Sequence, residues 1–418
     1  MTDDSSSPTQ DLPKPFHPNR DFRGFWCSLT LILAMTAVPL LVPAFALSQD
    51  FTDKVIYSFR GGADGNEPLF SGVVPDKAGN LYGTTYSGGT YHYGTVFKLD
   101  PAGKETILYS FGNGSDGKYL SAGVVLDPAG NIFGTTTEGG IRAIFCDKGC
   151  GTVFVIEPNG HERVLHAFTG GADGGLPTGR LVRDSEGNLY GTTELGGTSS
   201  NGTIYKIDAS GTLTVLHSFT GQPDGQNPQG GVIRDSEGNL YGTTASGGTD
   251  NFGAVFKLDS TGHETVLYSF LGSSKSDGED PVAPLFRTAN GDLYGTTFLG
   301  GVEGLGTVYK VDADGNETIL HTFGNAQNDG TYPESPLISD SQGNLYGTTI
   351  QGGTYGLPGG VMYRITPQGD YSIVYNFGGK SNGSAPAGPL LAGPNGSFFG
   401  TTTSGGAAGP GTVYQIMP

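Results

Sequence analysis

Carboxylates recur in this sequence at equivalent places, and the chemistry open to them is cation binding or turn formation. Asp64, Asp116, Asp173, Asp224, Asp277 and Asp329 each precede a glycine in a DG-x-x-P-like segment, with Asn382 at the seventh such place. A ring of oxygen ligands suits calcium, and the richest spot is Asp277, Glu279 and Asp280. The same residues suit a plainer role in which each Asp or Asn accepts backbone N–H groups in its own turn, where Asn382 serves equally well. The turn role is the more economical, so no cofactor is expected and calcium is the alternative.

Histidine and cysteine are sorted by position. His166, His217 and His321 stand where other copies of the pattern carry Tyr57, Tyr109, Tyr268 and Tyr375, and His161 and His263 stand where Lys104 and Asn316 do. His92, flanked by Tyr91 and Tyr93, has no counterpart. Cys146 and Cys150, four apart, point first to a local disulfide and then to free thiols; zinc normally needs four ligands and the neighbourhood lacks the other two. No Ser-His-Asp set, phosphate loop, HExxH or paired-His motif is present. A catalytic set would have to draw on unmatched polar residues such as His92, Arg142, Lys148, Lys275, Glu279, Glu303 and Glu334.

The elements that position these residues come from a repeat. NLYGTT (80 to 85) returns as NIFGTT (131 to 136), NLYGTT (188 to 193), NLYGTT (239 to 244), DLYGTT (292 to 297), NLYGTT (344 to 349) and SFFGTT (397 to 402). The fourth period holds four strand-like runs, QGGVIRD (229 to 235), NLYGTT (239 to 244), GAVFKLD (253 to 259) and HETVLYSF (263 to 270), designated A to D. The period lies in the range of four-stranded propeller blades. The chain stops on a C run, GTVYQIM (411 to 417), and begins its repeats with an orphan D run, TDKVIYSF (52 to 59). Pairing the two closes a ring. The expected fold is all-β, a seven-bladed β-propeller of four-stranded blades whose last blade is completed by the N-terminal strand.

The recurring GNLYGTT, the GG after it, the GTVFKLD run and the LYSF run with its DG-x-x-P sequel resemble the Gloeo/Verruco (GloVer) tandem repeat, over essentially everything from Lys54 to Pro418. The resemblance implies an exported bacterial protein associated with the cell surface and no established activity. Such proteins carry assorted surface anchors; here no sorting segment follows the last strand, so anchoring would fall to the N-terminus.

That N-terminus divides into a polar leader (1–23), a signal peptide or membrane anchor (24–46) and a short linker (47–53) before the propeller (54–418). The apolar run follows Arg20 and Arg23, and Ala44-Phe45-Ala46 offers cleavage after Ala46; the run is also long enough to stay as an anchor. Both outcomes place the repeats outside the cytoplasm, extracellular or periplasmic, with membrane contact only through this segment. Cys27 lacks a lipoprotein context.

A formal charge of −18 excludes a nucleic-acid partner. The tight A-to-B and C-to-D turns occupy one face, and the GG loops and DG linkers the other, so binding belongs on the loop face. Candidate ligand contacts there are Tyr91, His92, Tyr93, Arg142, Lys148, Tyr332 and Tyr355. The expected function is binding of an unknown surface ligand, carbohydrate or protein; Trp26 in the leader is the sole Trp, so Tyr91, Tyr93, Tyr119, Tyr332 and Tyr355 would have to stack on sugar. The rival reading is an extracellular lyase or hydrolase with its site in the loop-face funnel.

Overall fold

A computed structural model describes residues 51–112, 115–378 and 381–418. The leader, the apolar segment and the cleavage position after Ala46 lie outside the described residues. Seven four-stranded antiparallel sheets follow one another around a ring. Blades 1 to 6 span 74–110, 125–167, 182–218, 232–269, 286–322 and 338–376; blade 7 joins 391–417 to the N-terminal strand. In blade 4 the strands are Val232–Arg234 (A), Leu240–Thr244 (B), Ala254–Leu258 (C) and Glu264–Ser269 (D). Strand A is shorter than the run read from sequence, because 229 to 231 continue the linker along the axis instead of joining the ladder.

The ends of the chain meet as the sequence requires. Thr52–Ser58 pairs antiparallel with Thr412–Met417, from Thr52 opposite Met417 to Ser58 opposite Thr412. Every C-to-D pair carries a register shift at the same place, between Val255 and Phe256 in blade 4. Such bulges raise local twist and swing the outer strand away from the inner ones.

Blades are joined by aromatic pairs. The Phe after each D strand is fully buried against the C-strand ring of the next blade, as in Phe59 on Phe97 at 5.1 Å and Phe219 on Phe256 at 5.2 Å between centroids, both edge-on. The partner ring lies over the strand-B glycine opposite it, which explains the G of GTT. A Cβ on Gly242 would sit 2.6 Å from the tip of the Phe256 ring. The second Thr of six triplets closes its own blade, as in Thr85 Oγ1 to Thr95 Oγ1 at 2.8 Å, while Thr244 of blade 4 faces Ala254 and has no partner among the described residues. In four blades the first Thr reaches the next blade's linker, as Thr84 donates to the Ala122 carbonyl at 2.9 Å.

Three of the C-strand rings are Phe and four are Tyr, and the hydroxyls of Tyr205, Tyr309, Tyr363 and Tyr414 are buried with no hydrogen-bond partner among the described residues. An unsatisfied buried hydroxyl costs about 1–3 kcal/mol. Tyr309→Phe is therefore expected to stabilise the protein by about 1 kcal/mol in denaturant unfolding, whereas Gly242→Ala, which drives a methyl into Phe256, should destabilise it by about 1–3 kcal/mol.

Candidate functional site

The DG linkers are rigid because their side chains are already engaged. The Asp116 carboxylate accepts the Tyr109 hydroxyl at 3.0 Å and the Gly112 N–H at 3.1 Å. Asp224 accepts the Thr220 N–H at 2.9 Å and lies 3.2 Å from His217 Nε2. Asp277 accepts the Tyr268 hydroxyl and the Leu271 N–H, both at 2.8 Å, and the Gly278 N–H at 2.6 Å. His166, His217 and His321 thus do the work of the tyrosines at their positions, each on a linker Asp and edge-on to the following Phe.

Two residues after each of the six DG pairs and the Asn382-Gly383 pair the backbone turns left-handed without glycine, at Glu67, Tyr119, Leu176, Asn227, Asp280, Tyr332 and Ala385, with φ between 54 and 61°. A non-glycine residue held there costs of order 1 kcal/mol or more. The compensation is a pair of backbone bonds: the N–H of Asn227 donates to the Asn201 carbonyl of blade 3 at 2.9 Å, and its carbonyl accepts the Ala245 N–H of blade 4 at 3.0 Å. The following residue, Pro228, lies on Gly202 of the preceding blade. The linker is thereby pinned to two blades before it turns down the axis.

At the outer seams an acid from the next blade faces the linker Asp. Glu105, Glu162, Glu264 and Glu317 each have a pKa pushed up to about 7, first by burial and then by repulsion from Asp64, Asp116, Asp224 and Asp277 respectively. His217, Asp224 and Glu264 are the one set of three metal-capable groups that converge among the described residues, with ligand atoms within 4.8 Å of one another. The sequence trio Asp277, Glu279 and Asp280 does not converge: Asp277 is held in its turn, Glu279 lies in a short ladder with Leu299, and Asp280 lines the axis.

On the axis the linkers and A strands enclose a cavity of about 640 Å³. Its polar lining comes from residues that break the repeat. Just after the proline position stand Ser121, Thr178, Gln229, Val282, Glu334 and Ala387; two residues further on, Arg180 replaces the glycine or proline of the other blades. Glu194 follows the GTT of blade 3, and Gln229 Nε2 donates to its carboxylate at 3.4 Å. Burial raises the pKa of Glu194 and Asp280, the latter also through Glu279, and pushes Glu334 up to about 7 with help from Asp280. Burial alone lowers that of Arg180, whose guanidinium has no hydrogen-bond or ion-pair partner among the described residues. Arg183, at the inner end, is engaged over the Phe133 ring and on the Asp184 carbonyl.

The candidate ligand contacts named from the sequence lie on the loops, outside the lining of this cavity. Tyr91 is 57% exposed and lies across Gly112; His92 is exposed, with a left-handed backbone. Tyr93 packs edge-on to Tyr119 beneath Lys118. Arg142 is exposed, and Lys148 pairs with Glu138 at 3.7 Å. Tyr332 lies 5.0 Å from Phe298, and Tyr355 is exposed beside Gly378. Cys146 and Cys150 form a disulfide that braces the loop carrying exposed Ile144 and Phe145. Of the unmatched polar residues Glu334 enters the cavity, while Lys275 and Glu303 are exposed. Arg180, Glu194 and Gln229 were not named from the sequence; the available signal was Arg180 in a column otherwise filled by glycine and proline, whereas Glu194 and Gln229 stand in columns that vary from blade to blade.

The model of the Gloeobacter/Verrucomicrobia repeat matches residues 44–249, 145–283 and 229–418. The chain belongs to the Gloeobacter/Verrucomicrobia repeat family. No curated protein sequence matches it. Among solved structures this repeat protein is similar to the extracellular domain of a one-component system from B. thetaiotaomicron, with TM-score 0.55 and 15% identity over 88% of this chain and 41% of that one. The chain therefore spans about two fifths of that domain's length. A luciferin-regenerating enzyme (TM-score 0.42, 14% identity, 85% of this chain and 92% of that one) also matches. So does a protein classed as a gluconolactonase (0.42, 12%, 88% and 92%). At these identities the likeness extends to the propeller fold and no further.

The electrostatics set a pH profile. The seam glutamates and Glu334 titrate higher folded than unfolded, so the stability they contribute is complete below about pH 4.5 and is lost as pH rises through about 7. Asp76, Asp127, Asp184, Asp235 and Asp340 move the other way: burial works to raise them, but the Asn side chain and backbone N–H groups of their own turns hold them low. Their contribution is lost as pH falls below their usual range. Unfolding midpoints should therefore peak near pH 5 and decline toward pH 8, and changing Glu105, Glu162, Glu264 and Glu317 together to Gln should flatten the decline; an unchanged profile would contradict the assignment.

Proposed function

We propose that this propeller is an exported ligand-binding module whose site is the axial cavity on the loop face, acting at the cell surface or in the periplasm. Export is supported by the Cys146–Cys150 disulfide, which persists in oxidising compartments, and by the apolar run before the repeats. The observation that carries the binding reading is Arg180: a guanidinium without a partner, set in a cavity where three carboxylates are also held away from any cation. Arg180 is half-buried and reached by solvent through the cavity, and a guanidinium without a counter-charge in such a partly desolvated site is free to take an anionic group of a ligand. The exposed apolar side chains of the rim, among them Ile144, Phe145, Val302, Tyr355 and Leu357, belong to the same loop face and suit a larger partner around the small-ligand site.

The lyase or hydrolase reading has one observation in its favour. Glu334 titrates near 7 beside Asp280, the pairing a general acid and base require. Turnover on an oligosaccharide or lactone that Glu334→Gln abolishes would establish it.

For binding, the purified propeller is equilibrated with saccharides, organic acids and amino compounds and examined by native mass spectrometry. A retained ligand that is lost on Arg180→Met is expected; retention unaffected by that change contradicts the axial site. Without ligand, Arg180→Met should leave the unfolding free energy unchanged or raise it by less than about 1 kcal/mol, because the charge it removes is unpaired but half-buried.

A further inference from the structure

The charges of the axial cavity are arranged in a sequence along its linkers. Asp280 stands one residue before its proline and Glu334 one residue after, while Arg180 stands three residues after Pro177, further toward strand A. Glu194 is level with the start of the linkers, its N–H bonded to the Leu176 carbonyl at 3.0 Å. Beyond Arg180 the lining becomes aliphatic, with Val125, Val182, Ile233 and Ile338.

Each simple ligand class leaves part of this arrangement unanswered. A plain anion on Arg180 would lie beneath three carboxylates. A plain amine would leave the guanidinium without a partner. A single divalent ion needs its ligand atoms gathered around it, and these three acids are not among the groups that converge to within 4.8 Å. Arg180 offers the planar fork that carboxylates recognise, and separated carboxylates can share the three N–H donors of an ammonium group.

Resting on the reading of the cavity as a binding site, we propose that its ligand is a zwitterion of the α-amino-acid type, carboxylate on Arg180, ammonium between Asp280 and Glu334, aliphatic side chain against Val125, Val182, Ile233 and Ile338. The polarity is set by the protein: the ligand enters carboxylate first, and its apolar part is carried to the inner belt. Gln229, already on Glu194, fixes that carboxylate toward the cavity.

The test uses the whole propeller and three matched probes in isothermal titration: L-leucine, 4-methylpentanoate, which lacks the ammonium group, and 3-methylbutylamine, which lacks the carboxylate. Leucine is expected to bind at least tenfold more tightly than either half-ligand. Arg180→Met should weaken leucine more than tenfold and leave the amine unchanged, and Asp280→Asn with Glu334→Gln should weaken leucine and leave the acid unchanged. Circular dichroism melts certify that each variant is folded. Equal binding of leucine and a half-ligand, or leucine binding indifferent to Arg180→Met, overturns the assignment. If no amino acid of a full L-series binds while a saccharide binds in an Arg180-dependent way, the zwitterion falls and the axial site stands. If no compound of any class binds, both fall.

Discussion

The strand Thr52–Ser58 lies along the whole of Thr412–Met417, and the two ends of the repeat array thereby become one blade. Each other inter-blade contact depends on that pairing, because a ring gives every blade two neighbours and an open array leaves two faces bare. Without the N-terminal strand, Phe59 would leave Phe97 and the last blade would lose its outer edge. Phe59 is fully buried, worth about 2–3 kcal/mol in removed apolar surface. The join is also the longest-range strand pairing among the described residues, so it is the one most dependent on the other blades being in place before it forms.

Around the closed ring, sequence and packing agree in detail. The GTT glycine, the ring opposite it and the Phe that abuts the next blade form one device repeated in every blade, and all three were legible as recurring letters. The left-handed residue of each linker was not. Glu67, Tyr119, Leu176, Asn227, Asp280, Tyr332 and Ala385 share no side-chain chemistry, because the conformation is imposed by backbone bonds to two blades and not by local preference. The reach of Thr84 into the next blade was equally hidden, since propensity and cross-strand pairing already accounted for a Thr on a strand.

The site was legible as a face and only in part as residues. Glu334 stood out as unmatched and lines the axis, while His92, also unmatched, and Tyr91 and Tyr355, named as rings able to stack on a ligand, lie on the loops outside the cavity lining. Prominent side chains in long loops drew attention outward, whereas the axis is lined from the short, regular linkers. There a single departure such as Arg180, in a column otherwise filled by glycine and proline, changes the chemistry of the cavity without changing the backbone that carries it. Regularity builds the ring; function, on this account, lies where the columns break.

That division is tested by returning the broken columns to residues found in other blades. A variant carrying Arg180→Gly, Glu194→Thr, Gln229→Ser, Asp280→Asn and Glu334→Ala takes each replacement from an equivalent position of the same chain. Its ligand affinity, measured by titration beside its unfolding curve, is the decisive quantity. Full retention of cooperative folding with complete loss of binding is the predicted result; binding that persists in the folded variant would contradict the placement of function on the axis.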